Sequence, residues 1–173
     1  VKGIPVEIAE QVQAFIRNDA SVKQKLASCF ELLQQWEIAG DATALNELAW
    51  QTENRNLQRS AASPRVCRLV EPLVAQLRQD SPYSIHINGQ FNVDFLHAIT
   101  LHDIGNSYLP DELLLKPGRL ESSEFELMKL HTVLGANLLS LSAAHLPNSG
   151  FLHMAAEIAR SHHERWDGLG YTD

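Results

Sequence analysis

Apolar residues recur at helical spacing along nearly the whole of this chain, and no segment alternates long enough to build a sheet. Val6, Ala9, Val12, Phe15 and Ile16 form one stripe behind Pro5, a residue suited to a first helical turn. Ser21 can cap a second helix, whose Val22, Leu26, Phe30, Leu33 and Trp36 stop at Gly40. Asp41 heads a third segment carrying Leu45, Leu48 and Ala49. Ser63 and Pro64 begin a fourth, with Val66, Leu69, Val70, Leu73, Val74 and Leu77 apolar and Pro72 expected to kink it. Within 83–93, Asn88-Gly89 lies between short alternating runs, which fits a hairpin or an ordered loop equally well. Further helices are expected over 92–103 and 110–116. A capping box of Ser123 with Glu126 should start a long helix ending near Ser142, and a last helix should span 151–164. The pattern predicts an all-α fold.

Length and composition narrow the class. A chain of 173 residues, 45% hydrophobic and 20% charged, can bury a real core and does not read as disordered. Its formal charge of −7 offers no basic face, so a nucleic-acid polymer is not an expected partner. No apolar run approaches the roughly 20 residues that span a bilayer. Cys29 and Cys67 are too far apart to suggest a disulfide framework or a zinc knuckle, which fits a reducing cytoplasm. The chain opens on Val1 without a signal segment and is expected to be a piece of something longer.

Histidine is the unevenly spread residue. There are eight, none in residues 1–85, and six from His102 to His163. His102-Asp103 closes an apolar stretch (Phe95, Leu96, Ile99), and an adjacent imidazole and carboxylate can reach one metal ion while the carboxylate bridges to a second. His131 lies between Leu130 and Val133, where a lone histidine is more often a satisfied core residue than a ligand. His162-His163, followed by Glu164, Arg165, Trp166, Asp167, Gly168, Leu169, Gly170 and Tyr171, is costly as structure alone. Neutral imidazoles with carboxylates suit iron, manganese or zinc.

The segments LHDIGNSYLPDELLLKPGRLESSEFELMKLHTVLGANLL and HHERWDGLGY, in that order, resemble the HD-GYP family, a branch of the HD-domain metal-dependent phosphohydrolases. The likeness runs from about Pro64 to Asp173. It implies an HD-domain-like helical bundle over residues 61–173, continuing past the last residue, and the helical stripes before it read as an N-terminal helical extension over 1–60. It also implies one to three divalent ions, commonly iron or manganese, and hydrolysis of cyclic di-GMP to linear pGpG or GMP in a bacterial cytoplasm. By the same resemblance His102, Asp103, His131, His162 and His163 are metal ligands, with His102 and Asp103 also catalytic and Asp103 the bridge. Gly168, Gly170 and Tyr171 match the family loop assigned to substrate or partner contact, and Arg165 beside them is expected to meet substrate phosphate. The extension is expected to join an upstream sensor or receiver domain, or to form a homodimer contact.

Four positions depart from the family pattern. Aligned on Arg65-Val66, an early metal-binding histidine is Ala62 and a glutamate before it is Gln58. The lysine after HDIG is Asn106, the proline of GYP is Thr172, and a further metal-binding aspartate is expected beyond Asp173. Losing the histidine should cost at least the roughly 10–100-fold that loss of an outer-shell partner costs. Asn106 cannot supply a lysine's charge. Glu53 or Glu71 is a candidate replacement ligand. His97 is expected to pack, and His86, His145 and His153 match no ligand. The alternatives to an active phosphodiesterase are a degenerate module that binds a nucleotide or a partner protein, and hydrolysis of another phosphate ester.

Overall fold

The computed structural model describes residues 20–39, 43–53, 62–146 and 149–171. Over these it is all-α, with no strand. The helices are α1 (Ala20–Ala39), α2 (Thr43–Glu53), α3 (Ala62–Gln79), α4 (Gly89–Ile99), the single-turn α5 (Asp111–Leu114), α6 (Ser122–His145) and α7 (Phe151–Ser161). A 3-10 segment, Ile104–Tyr108, runs between α4 and α5. No helix among the described residues is long and apolar enough to cross a membrane.

One apolar cluster organises the bundle. Val22, Cys29 and Leu33 of α1 and Leu45 and Leu48 of α2 meet Leu138 and Leu139 of α6 and Phe151, Leu152 and Ala155 of α7. Leu101, Ile104 and Tyr108 are buried at its centre, so the 3-10 segment is gripped from both sides. Fully burying side chains of this size contributes roughly 1.5–3 kcal/mol each. These residues of α1 and α2 therefore belong to the same core as the histidine-bearing helices. A smaller cluster of Leu109, Leu113, Leu114 and Met128 ties α5 to the start of α6. Burial pushes the Cys29 thiol up to about 11, against a smaller opposing hydrogen bond with Ser107, which leaves it protonated core filler.

Several boundaries differ from the sequence expectation, each for a local reason. Asn88-Gly89 is no hairpin turn. Asn88 is the N-cap of α4, its side chain accepting the Phe91 N–H at 2.8 Å, so the helix starts three residues early. The capping box of α6 is formed by Glu121 and Glu124 rather than Ser123 and Glu126. Glu124 accepts the Glu121 N–H at 2.7 Å and is clamped by the Lys116 ammonium at 2.6 and 2.7 Å. Helix α3 runs through Pro72 as one element, and α7 stops at Ser161 rather than Glu164. Ser21 lies inside α1, one residue past its start. The expectations for residues 1–16, Gly40 and Asp41 fall outside the described residues.

Candidate metal centre

Three stretches distant in sequence deliver the imidazoles to one point. His102 and Asp103 follow α4, in the turn that leads into the 3-10 segment. His131 sits midway along α6 and is 3% exposed. His162 is the C-cap of α7, its N–H bonded to Ile158 O, and His163 follows where the helix has ended.

In three of the four rings one nitrogen is already committed. His102 Nδ1 lies 2.9 Å from Ile99 O, His131 Nδ1 2.6 Å from Met128 O, and His162 Nδ1 3.0 Å from Ala159 O, each a carbonyl three residues back. A carbonyl only accepts, so Nδ1 carries the proton and Nε2 of the neutral ring presents a lone pair. The Nε2 atoms of His131 and His162 stand 3.3 Å apart, at 3.3 and 3.5 Å from Asp103 Oδ1. Two lone pairs and an anionic oxygen that close repel one another unless positive charge lies among them. Asp103, His131, His162 and His163 each offer a ligand atom within 4.8 Å of the others. Metal–nitrogen bonds of roughly 2.0–2.1 Å put neighbouring donors about 3–3.4 Å apart, so the residues present fit a divalent ion of the borderline kind. The carbonyl partners behind the rings supply the orienting contacts such sites use.

Asp103 faces two ways. Its Oδ1 points into the His131–His162 pair, while Oδ2 lies 3.4 Å from His102 Nε2. Histidine 102 is therefore on the other side of the carboxylate and outside the four-residue cluster. This is the two-sided placement a bridging carboxylate needs, with one side well furnished and the other holding His102 alone among the described residues.

The electrostatics follow from this packing. Burial by itself would raise the Asp103 pKa, but in the ring form that carries a proton on Nε2 as well, His131 and His162 donate to its carboxylate, and with the charge of His102 and His131 they outweigh burial and hold the carboxyl well below the usual range. Burial, and after it the proximity of His162 and His131, draws His163 down to about 4, with Asp103 opposing. His163 is thus a neutral donor across the physiological range. Between about 4 and its ordinary 6.5 the unfolded chain binds a proton at His163 that the folded chain does not, so metal-free stability falls as pH drops through that window. Asp103 acts in the same direction below its ordinary 3.8, where the unfolded carboxylate protonates first. The urea midpoint of the metal-free protein is accordingly expected to decrease steadily from pH 7 to pH 4. A midpoint that rises over that range contradicts these environments.

A pair of glycines presses the aspartate's segment onto the histidine's helix. A Cβ on Gly105 would fall 1.8 Å from His131 O and 2.8 Å from Gly135 N. These contacts escaped sequence reading, although Gly135 is a signal. A glycine inside a long helix costs about 1 kcal/mol relative to alanine and asks for a packing reason.

The loop after α7 folds back on itself. Gly170 passes so close to the helix end that a Cβ would meet Arg165 N, Glu164 Cα and His163 O, each at 2.6 Å. Gly168 takes φ +70° and its N–H bonds Arg165 O at 2.9 Å. The result carries Tyr171 onto the His163 ring, with centroids 4.6 Å apart and planes 22° from parallel. Arg165 is exposed and paired with Asp167.

Among the departures, Asn106 is 6% exposed and packed within the 3-10 segment. Gln58 and Thr172 lie outside the described residues, as do the side chains of Ala62 and Glu53. Glu71 is not in the cluster; it lines a cavity of about 400 Å³ with Val74, Ala75, Arg78, Gln79 and Asn92. His97 packs edge-on against Trp36 and Phe151, at 5.7 and 5.6 Å, as expected of a core ring. His86, His145 and His153 are exposed.

Comparison with known proteins agrees with this picture. A family model described as HD domain matches residues 8–173. The chain is 34% identical over 154 residues to a cyclic di-GMP phosphodiesterase of Vibrio cholerae, covering 89% of this chain and 31% of that protein. It is 32% identical over 168 residues to a cyclic di-GMP phosphodiesterase response regulator of Xanthomonas campestris, covering 97% of this chain and 40% of the relative. A 3'3'-cGAMP-specific phosphodiesterase of Vibrio cholerae is 41% identical over 77 residues, 44% of this chain and 14% of the relative. The chain thus spans less than half the length of each of these relatives.

Proposed function

This chain belongs to the HD-domain family, and from that premise we propose that it is the metal-dependent phosphodiesterase unit of a bacterial second-messenger enzyme, acting on cyclic di-GMP. The observation that carries the proposal is the convergence of Asp103 Oδ1 with the Nε2 atoms of His131 and His162, backed by three carbonyl-anchored rings. His131, His162, His163 and Asp103 would hold one ion, iron or manganese, and His102 with Asp103 Oδ2 would contribute to a second position only if another ligand joins them. A divalent ion bound here lowers the pKa of water and neutralises charge on a phosphoryl group during in-line attack. The protein's own part is to keep Asp103 ionised between two ligand sets and to keep His163 neutral. Arg165, two residues after His163 and beside the Gly168–Gly170 turn, is assigned to phosphate. The relatives named for cyclic di-GMP support the substrate, and the one named for 3'3'-cGAMP supplies the natural comparison.

The same proposal takes the chain as cytoplasmic, with residues 1–60 connecting to an upstream sensor or receiver domain or to a second copy. The described residues of that stretch hold none of the candidate ligands. Val22, Cys29, Leu33, Leu45 and Leu48 are spent on the core, which leaves outward positions such as Ile38, 87% exposed, for such a contact.

The test uses the full-length protein, reconstituted with Mn²⁺ or Fe²⁺ under reducing conditions and offered each cyclic dinucleotide. About one ion per chain and conversion of cyclic di-GMP to pGpG faster than by a His102→Ala, Asp103→Ala double variant are expected. A rate equal to the double variant's, with calorimetric binding but no product, would establish the regulatory module instead. Zero metal per chain would remove the phosphodiesterase reading.

A further inference from the structure

His163 is the odd member of the cluster. His102, His131 and His162 are each fixed by a hydrogen bond from Nδ1 to a carbonyl three residues back. Among the described residues the His163 ring makes no hydrogen bond, and it lies beyond the end of α7, where no helical carbonyl of that kind is in register. A ligand ring free to rotate loses much of its value, because orienting partners are worth about 10–100-fold in metal affinity. Something else must hold this ring.

The group against it is Tyr171, stacked at 4.6 Å and 22°. Tyr171 is in turn supported from α6. Phe125 meets it edge-on at 6.2 Å, and the Lys129 ammonium stands 5.1 Å from the Phe125 centroid and 5.7 Å from that of Tyr171. Lys129 is itself fixed by Glu126 at 2.6 Å. The four residues form a wall from α6 to the turn, and its inner face is the His163 imidazole. His131, six residues after Phe125 and two after Lys129 on α6, packs edge-on to the same imidazole at 5.1 Å. The helix that supplies a ligand also supplies the support for its neighbour.

We infer that Tyr171 is a positioning residue: its ring, buttressed by Phe125 and Lys129, orients the His163 imidazole by stacking where the other ligands use hydrogen bonds. The ring rather than the hydroxyl does this, so phenylalanine should serve and an aliphatic residue should not. The inference rests on the reading of the cluster as a metal centre, and it extends that reading to Phe125 and Lys129 of α6.

The experiment has one arm without metal and one with it. In the metal-free chain, histidine-labelled NMR should show the His163 ring protons displaced upfield by the tyrosine ring current. Tyr171→Phe should keep that displacement and Tyr171→Leu should abolish it, with the His131 and His162 signals moving far less. With Mn²⁺ titrated against a competing chelator, Tyr171→Leu should weaken binding about 10–100-fold, Phe125→Ala by less, and Tyr171→Phe hardly at all. Tyr171 and the half-exposed Phe125 both lie outside the two apolar clusters, so these variants are expected to keep the fold, which circular dichroism checks. An unchanged His163 signal, or unchanged Mn²⁺ affinity, in Tyr171→Leu would overturn the inference. A wild-type chain that shows the upfield ring yet takes up no Mn²⁺ overturns the metal-centre reading and leaves the stacking contact established.

Discussion

Replacing Asp103 by asparagine should separate stability from function. The carboxylate is the one anionic donor of the cluster among the described residues, and both its oxygens face imidazole nitrogens. An asparagine keeps the shape but removes the charge that balances a divalent ion on both sides. Metal affinity is expected to fall at least 100-fold, about 2.7 kcal/mol, and phosphodiesterase turnover to fall to the background of the double variant. The metal-free protein should not suffer in parallel. The new amide can turn its N–H groups toward the Nε2 lone pairs of His131 and His162, which the tautomers set by Met128 O and Ala159 O leave as acceptors. Its thermal midpoint without metal should therefore match or exceed that of the wild type at pH 7. The part of the acid sensitivity that comes from Asp103 should vanish with the carboxylate. Elemental analysis after desalting, chelator competition and thermal melts read the outcome. An Asp103→Asn protein that holds its ion as tightly as the wild type would show that the ion, if any, sits elsewhere.

That contrast also marks what a linear sequence can and cannot disclose. The helical period of Val22 to Trp36 and of Phe151 to Ile158 is set by burial on one face, and burial on one face is visible in the order of residue types. The candidate ligands were legible because the histidines crowd into the second half of the chain and because their neighbours resemble a known family's motifs, whereas His131 taken alone read as a core residue. Helix starts were less legible, since Asn88 can begin a turn or a helix and only the free Phe91 N–H decides which. The shift from Ser123 to Glu121 in the α6 cap has a similar cause. Lys116, eight residues from Glu124, selects the register through a charge pair that crosses a turn. Least legible were the sidedness of Asp103, which puts His102 apart from the other three histidines, and the Phe125–Tyr171–His163 wall. Both depend on how segments separated by about 30 or more residues approach, and no periodicity records that.

Gly105→Ala is expected to be the most damaging single methyl group that can be added to this protein. The methyl carbon would lie 1.8 Å from His131 O, 2.6 Å from His131 C and 2.8 Å from Gly135 N, all backbone atoms of α6 that no rotamer change can clear. Restoring ordinary contact requires the 3-10 segment and α6 to part by more than about 1 Å, and neither is free to move. Ile104 and Tyr108 anchor the segment in the main cluster, Leu109 anchors its end in the second, and Leu138 and Leu139 hold α6 from the far side. Overpacking ordinarily costs about 1–3 kcal/mol, and a clash against fixed backbone belongs at or above the top of that range. The same displacement carries Asp103 Oδ1 away from His131 Nε2, so whatever folds should bind metal about 100-fold more weakly. Gly135→Ala is the matched control. Its Cβ would come no closer than 3.0 Å to Gly105 N and 3.3 Å to Gly105 Cα and Ile104 Cγ2, a fit that yields with small shifts. Alanine also gains about 1 kcal/mol of helix propensity there, so the net change in unfolding free energy should stay within about 1 kcal/mol. Urea unfolding of both variants with metal counted per chain decides the matter. If Gly105→Ala unfolds at the wild-type midpoint, the backbone contact between the two metal-bearing segments is not what sets their spacing.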